Sequence, residues 1–81
     1  MTRDEAKKII VEEGLKQIIW FGNHKLKENE VGIKYEDNQW EVYVTDERAN
    51  IVTGSITKFV EEDKALDNFI ARARTEKNLF R

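Results

Sequence analysis

The sequence predicts an α+β fold, an α-β-β-β-β-α two-layer sandwich with an antiparallel sheet and both helices on one face. Three observations predict it. Residues 31–45, VGIKYEDNQWEVYVT, alternate apolar and polar side chains on either side of Asp37-Asn38, a dipeptide suited to a tight hairpin turn. Residues 2–14 carry a capped helical pattern. Residues 62–74 carry a second apolar stripe at helical spacing.

The first helix is expected from about Arg3 to Glu13. Thr2 and Glu5 form a T-x-x-E capping box, and Ala6, Ile9 and Ile10 share one face. Gly14 supplies the left-handed stop, after which Leu15 can fold back on Ile10. Residues 17–21, QIIWF, read as a short strand because β-branched and aromatic residues favour extended backbone. The residues alone do not say whether this strand joins the sheet. Gly22-Asn23 ends it, and the polar run HKLKENE reads as a connection.

With Asp37-Asn38 at the turn, the hairpin register follows. Tyr35 faces Trp40, Ile33 faces Val42 and Val31 faces Val44, all on one side. Lys34 meets Glu41 on the other side as an oppositely charged cross-strand pair. A further strand is expected from Ile51 to about Phe59. If Thr45 pairs with Ile51, then Val44 faces Val52, Val42 faces Gly54 and Trp40 faces Ile56. The second helix starts near Glu62 or Asp63, with acids at its positive end and Arg72, Arg74 and Lys77 toward its negative end. Leu66, Phe69, Ile70 and Ala73 form its buried stripe, and Leu79 and Phe80 add a last contact or fray. The sheet face away from the helices would show Lys34, Glu36, Glu41, Tyr43, Thr45, Thr53 and Ser55 to solvent or to a partner.

Eighty-one residues make one domain, 1–81, that buries roughly 60% of its unfolded surface. Its stability is expected at about 4–12 kcal/mol. No cysteine is present, which excludes disulfides and Cys-based zinc sites and fits a cytoplasmic location. No apolar run is long enough for a membrane span, and the charged N-terminus is not a secretion signal. Residues 31–63 hold three basic and eight acidic groups. That imbalance argues against nucleic-acid binding, which relies on Lys and Arg to meet phosphates.

No residue set points to catalysis, a metal or a cofactor. His24 is the single histidine and reads as an exposed turn residue. The adjacent acids Glu36-Asp37, Asp46-Glu47 and Glu61-Glu62-Asp63 diverge in strands and turns, without EF-hand spacing, and no concave pocket is implied. Topology gathers them instead. Glu36, Asp37, Glu61, Glu62 and Asp63 share one rim of the sheet, and Glu28, Glu30, Asp46 and Glu47 share the opposite rim. Either rim could steer a basic partner or simply solubilise. Trp40 is expected in the core. Trp20 and Phe21 are neighbours in a strand and point opposite ways, so one of them either packs against Leu26 or a helix end, or anchors an interface. Tyr43 is a contact residue or a plain sheet tyrosine. Arg48 either pairs locally or touches a partner.

The run W-E-V-Y-V-T-D-E-R, residues 40–48, followed by F-V-E-E-D-K-A-L-D-N-F-I, residues 59–70, resembles small immunity proteins of bacterial polymorphic toxin systems. The similarity covers about residues 31–74. It implies a stoichiometric inhibitor that binds a cognate toxin domain in the producing cell, with Trp40, Val42, Phe59, Leu66 and Phe69 structural and Asp46-Glu47-Arg48 a shared turn. With no catalytic groups in the chain, the expected action is occlusion of the toxin and not catalysis. Glycine is expected after that turn's arginine, where this chain has Ala49. Binding surfaces in such families diversify, so contact residues are read from this chain alone: Trp20, Glu36, Asp37, Glu41, Tyr43, Asp46, Glu47 and Arg48. The expected partner is the toxin, with no nucleic acid and no membrane, and the expected state is a monomer in preference to a homodimer. The alternatives are a small regulatory or assembly module and, against the charge pattern, a double-stranded RNA-binding-like domain, whose second helix needs a basic start where this chain has Glu61-Glu62-Asp63.

Overall fold

The computed structural model describes residues 1–79. Its elements are α1 (Arg3–Glu13), β1 (Ile18–Trp20), β2 (Val31–Glu36), β3 (Gln39–Val44), a 3₁₀ turn (Thr53–Ser55), β4 (Thr57–Phe59) and α2 (Glu62–Leu79). The four strands form one sheet in the order β1-β2-β3-β4. The α+β order and two-layer arrangement are those the sequence predicts. Pairing is antiparallel from β2 to β4, and β1 adds at the edge parallel to β2. Parallel neighbours need a crossover, which here is residues 21–30.

α1 starts and stops as its sequence dictates. The Thr2 side chain accepts from the Glu5 amide and Glu5 returns to the Thr2 amide. Gly14 is left-handed at φ 62°, and Leu15 N–H donates to the Ile10 carbonyl at 3.0 Å. α2 lies beside α1 in the same direction, because their early turns meet each other and so do their later ones. The Met1 amino group reaches Asp67 at 3.0 Å and Arg3 reaches Glu62 at 2.8 Å, while Arg74 grips Glu13 through two hydrogen bonds of 2.9 and 2.6 Å. Ala65, Leu66, Phe69, Ile70 and Ala73 of α2 close one core with Ala6, Leu15, Val31, Ile33 and Val42. Phe80, expected to make a last contact, lies outside the described residues.

The hairpin register is as expected. Val31 pairs with Val44, Ile33 with Val42, Lys34 with Glu41 and Tyr35 with Trp40. Asp37 and Asn38 take φ 53° and 62°, the pair of positive values that a type I′ turn requires. Tyr35 departs from the expected core: the hairpin tip runs past the helices, leaving it exposed while its ring packs 4.6 Å from Trp40.

Three further expectations are corrected. The strand proposed for 51–59 is broken. Thr45 does bridge Ile51, but Thr53–Ser55 turns out of the sheet and Trp40 pairs with Phe59 instead of Ile56. Small polar residues there favour a turn, and the Ser55 hydroxyl takes over as acceptor for the Val44 amide at 3.0 Å. Second, Trp20 and Phe21 do not point apart. Phe21 adopts φ 49°, which ends strand alternation, and the two rings meet edge to face at 5.0 Å beside the core. Third, Glu41, Tyr43 and Thr45 are buried, not displayed on an open sheet face. Tyr43 lies across Gly32, where a Cβ would stand 2.2 Å from its Cζ, and Ile19 is buried beside that pair.

Candidate functional site

A concave part of the surface lies at the sheet end where β3 leaves for residues 46–50. Asp46 organises this turn. Its Oδ1 accepts from the amides of Arg48 at 2.8 Å and Asn50 at 3.0 Å. Its backbone carbonyl accepts from Asn29 and Ala49, each at 3.1 Å. Hydrogen bonds from the Asn50 and Arg48 amides hold the Asp46 carboxyl below the usual aspartate range. Ala49 adopts φ 62°, the conformation for which glycine is expected at this position. With Asp46 committed to the backbone, Glu47 and Arg48 project outward and are exposed.

The facing wall is the end of the crossover, and Thr45 fastens it. The Thr45 hydroxyl accepts from the Glu30 amide at 2.8 Å and donates to the Lys27 carbonyl at 2.6 Å. Between the walls lies an open groove of about 590 Å³, lined by Gln17, Lys27, Glu28, Glu30, Glu47, Arg48 and Ala49. No pocket was expected from a two-layer fold. This one arises because the crossover and the 46–50 turn both overhang the sheet. Its lining mixes two cations, Lys27 and Arg48, with three acids, Glu28, Glu30 and Glu47, which suits matching against a protein surface more than binding one small ion. Among the described residues no His, Asp and Glu cluster is arranged to hold a metal ion.

The family model for Immunity protein 59 matches residues 2–78. The chain belongs to this family. No curated protein and no solved structure matches it. As a member of the Immunity protein 59 family it is a bacterial toxin-neutralising protein whose partner is a cognate toxin, and it is not an enzyme. The resemblance read from residues 40–48 and 59–70 therefore holds over nearly the whole chain. Among the described residues no helix is long and apolar enough to cross a membrane.

Within this Immunity protein 59 fold the candidate contact residues fall into three places. Asp46, Glu47 and Arg48 sit at the groove. Glu36 and Asp37 sit at the opposite end of the sheet, where Glu36 pairs with Lys34 at 3.0 Å. There Glu62 is already engaged, accepting from Arg3 at 2.8 Å and from Trp40 Nε1 at 3.1 Å. Trp20, Glu41 and Tyr43 lie inward. Trp20 packs 5.8 Å from Phe69, and Lys34 sits over the Tyr43 ring at 5.6 Å. Burial pushes the Tyr43 phenol up.

Thr45, Glu30, His24 and Arg72 organise the structure in ways the sequence pattern does not announce. Arg72 donates to the Ser55 carbonyl at 2.7 Å and the Thr57 hydroxyl at 2.6 Å, so it stitches the broken strand to α2. Its position next to Ala73 and three residues after Phe69, at the border of the buried stripe, was the available signal. His24 is not a free turn residue, for both of its ring nitrogens meet backbone carbonyls. No local pattern announces that arrangement.

Proposed function

We propose that the protein neutralises its toxin by occlusion, seating the groove end of the sheet on the toxin as a monomeric single domain, 1–81, in the cytoplasm of the producing cell. One observation carries the choice of surface. The Asp46 carboxylate fixes the 46–50 turn through its own backbone, so Glu47 and Arg48 are presented by a preorganised loop over a concave surface. Preorganisation lowers the ordering cost of association. Glu47 and Glu28 then steer the encounter, and Arg48 supplies a planar donor for a toxin carboxylate or carbonyl.

Co-expression with the cognate toxin tests the reading. The double variant Glu47→Lys/Arg48→Glu should lose protection and co-purification while keeping the wild-type melting transition. Full protection by a folded double variant would remove the groove end from the interface. The opposite end is the second reading, favoured by exposed Tyr35 packed at a tilt against Trp40 beside Glu36 and Asp37. Glu36→Lys/Asp37→Lys tests it in the same assay, and loss of protection there alone would transfer the interface to the hairpin tip.

A further inference from the structure

β1 is an edge strand, and exposed edges are templates for another chain. Ile18 and Trp20 point their backbone groups away from β2, because Val31 N–H pairs with the Gln17 carbonyl and Phe21 N–H with the Ile33 carbonyl. Three of those four outward groups, the Trp20 N–H and the carbonyls of Trp20 and Ile18, are engaged by the Asn23-His24 turn. Asn23 Oδ1 accepts from Trp20 N–H at 3.0 Å, and Asn23 N–H donates to the Trp20 carbonyl at 3.1 Å. His24 Nε2 lies 3.0 Å from the Ile18 carbonyl, and His24 Nδ1 lies 2.7 Å from the Lys25 carbonyl.

Both His24 ring nitrogens therefore face oxygens that can only accept. A neutral imidazole has one N–H, so it would direct a lone pair at one of the two carbonyls. The imidazolium donates to both. A second observation agrees. Glu30 is only 6% exposed, and its Oε2 lies 3.7 Å from His24 Nε2. Its Oε1 is buried with no hydrogen-bond partner among the described residues. A carboxylate in that position needs a neighbouring cation. Lys27 of the same crossover is the charge that opposes protonation of His24, and Tyr43, reaching toward Glu30 from β3, is a neutral phenol.

We propose that His24 is held as a doubly donating imidazolium, and that this proton fastens the Asn23-His24 turn across the free edge of β1, closing it to strand addition by a second chain. The lock is a positioning device at the edge of β1 that shares Glu30 and Lys27 with the wall of the groove. Because the folded protein binds this proton more tightly than the unfolded chain, the lock is complete below the ordinary histidine value of about 6.5. It is lost as pH rises through the folded pKa.

A single histidine makes the test direct. In the full chain, NMR should show His24 titrating above the ordinary value, and Glu30→Gln should lower that midpoint. Exchange of the Trp20 amide should accelerate relative to the Phe21 amide, which is held inside the sheet, as His24 loses its proton. The ratio removes the intrinsic pH dependence of exchange. Titration at or below the ordinary value, or a flat Trp20 to Phe21 ratio across the midpoint, would overturn the proposal. If Glu30→Gln does not fold, the wild-type midpoint and ratio decide it alone.

Discussion

The two faces of the sheet are buried by different means. Val31, Ile33 and Val42 lie under two helices, and the contact is the interlocking of separate elements. On the other face Tyr43 lies over Gly32 beside Ile19, and Glu30, Glu41 and Thr45 are buried around them. The first face follows from amphipathic patterning. The second depends on one missing side chain and a few directed hydrogen bonds. Substitutions on the helix face should therefore scale with volume removed, and those on the opposite face with geometry.

The largest expected effect tests the helix face. Phe69 is fully buried and touches Trp20. Phe69→Ala should destabilise by about 3–5 kcal/mol, measured by urea unfolding. That is much of the stability expected for a chain of this size, so partial unfolding at room temperature is the anticipated outcome.

Gly32→Ala is the matching test of the other face. Its one added carbon would lie 2.2 Å from Tyr43 Cζ and 2.5 Å from Cε2, so the ring must leave its seat. Overpacking of this kind costs about 1–3 kcal/mol. In a Tyr43→Ala background the same change should cost far less, because the two residues share one space. Equal costs in both backgrounds would mean that Tyr43 does not rest on Gly32 in solution.

Thr45→Val separates hydrogen bonding from volume. It keeps the shape but leaves the Glu30 amide and the Lys27 carbonyl without the hydroxyl. A loss of about 1–3 kcal/mol is expected if those groups stay buried. Amide exchange at Glu30 should rise with it. A stability loss without local exchange would place the effect elsewhere.

These contrasts mirror what the sequence could disclose. The 31–45 hairpin was legible to the residue, because alternation and a turn dipeptide specify the same register. Both helices were legible from caps and stripes. Residues 51–59 were not, since Thr53-Gly54-Ser55 satisfies alternation by chance while its small polar side chains favour a turn. The parallel placement of β1 and the buried outer face were also hidden. They depend on contacts between the 21–30 crossover and β3, and short-range pattern carries no record of those. At the candidate site, the Asp46-Glu47-Arg48 turn was visible as a motif, while the groove it overhangs was not.

The smallest effect bears on that turn. Ala49 is held at φ 62°, where the Cβ crowds the following carbonyl and an L-residue other than glycine is disfavoured by about 1 kcal/mol. Ala49→Gly removes that strain but gives the unfolded chain more freedom, an opposing term of about 0.4–1 kcal/mol. The net gain should therefore lie between zero and about 0.5 kcal/mol, read as a small upward shift in the urea midpoint. If the turn presents Glu47 and Arg48 to the toxin as a rigid unit, affinity should stay the same. The Asp46 hydrogen bonds that fix the turn do not involve the Ala49 side chain. A fall in affinity with unchanged stability would show that the methyl group itself touches the toxin. It would place the interface on the groove wall and not on the two charged residues beside it.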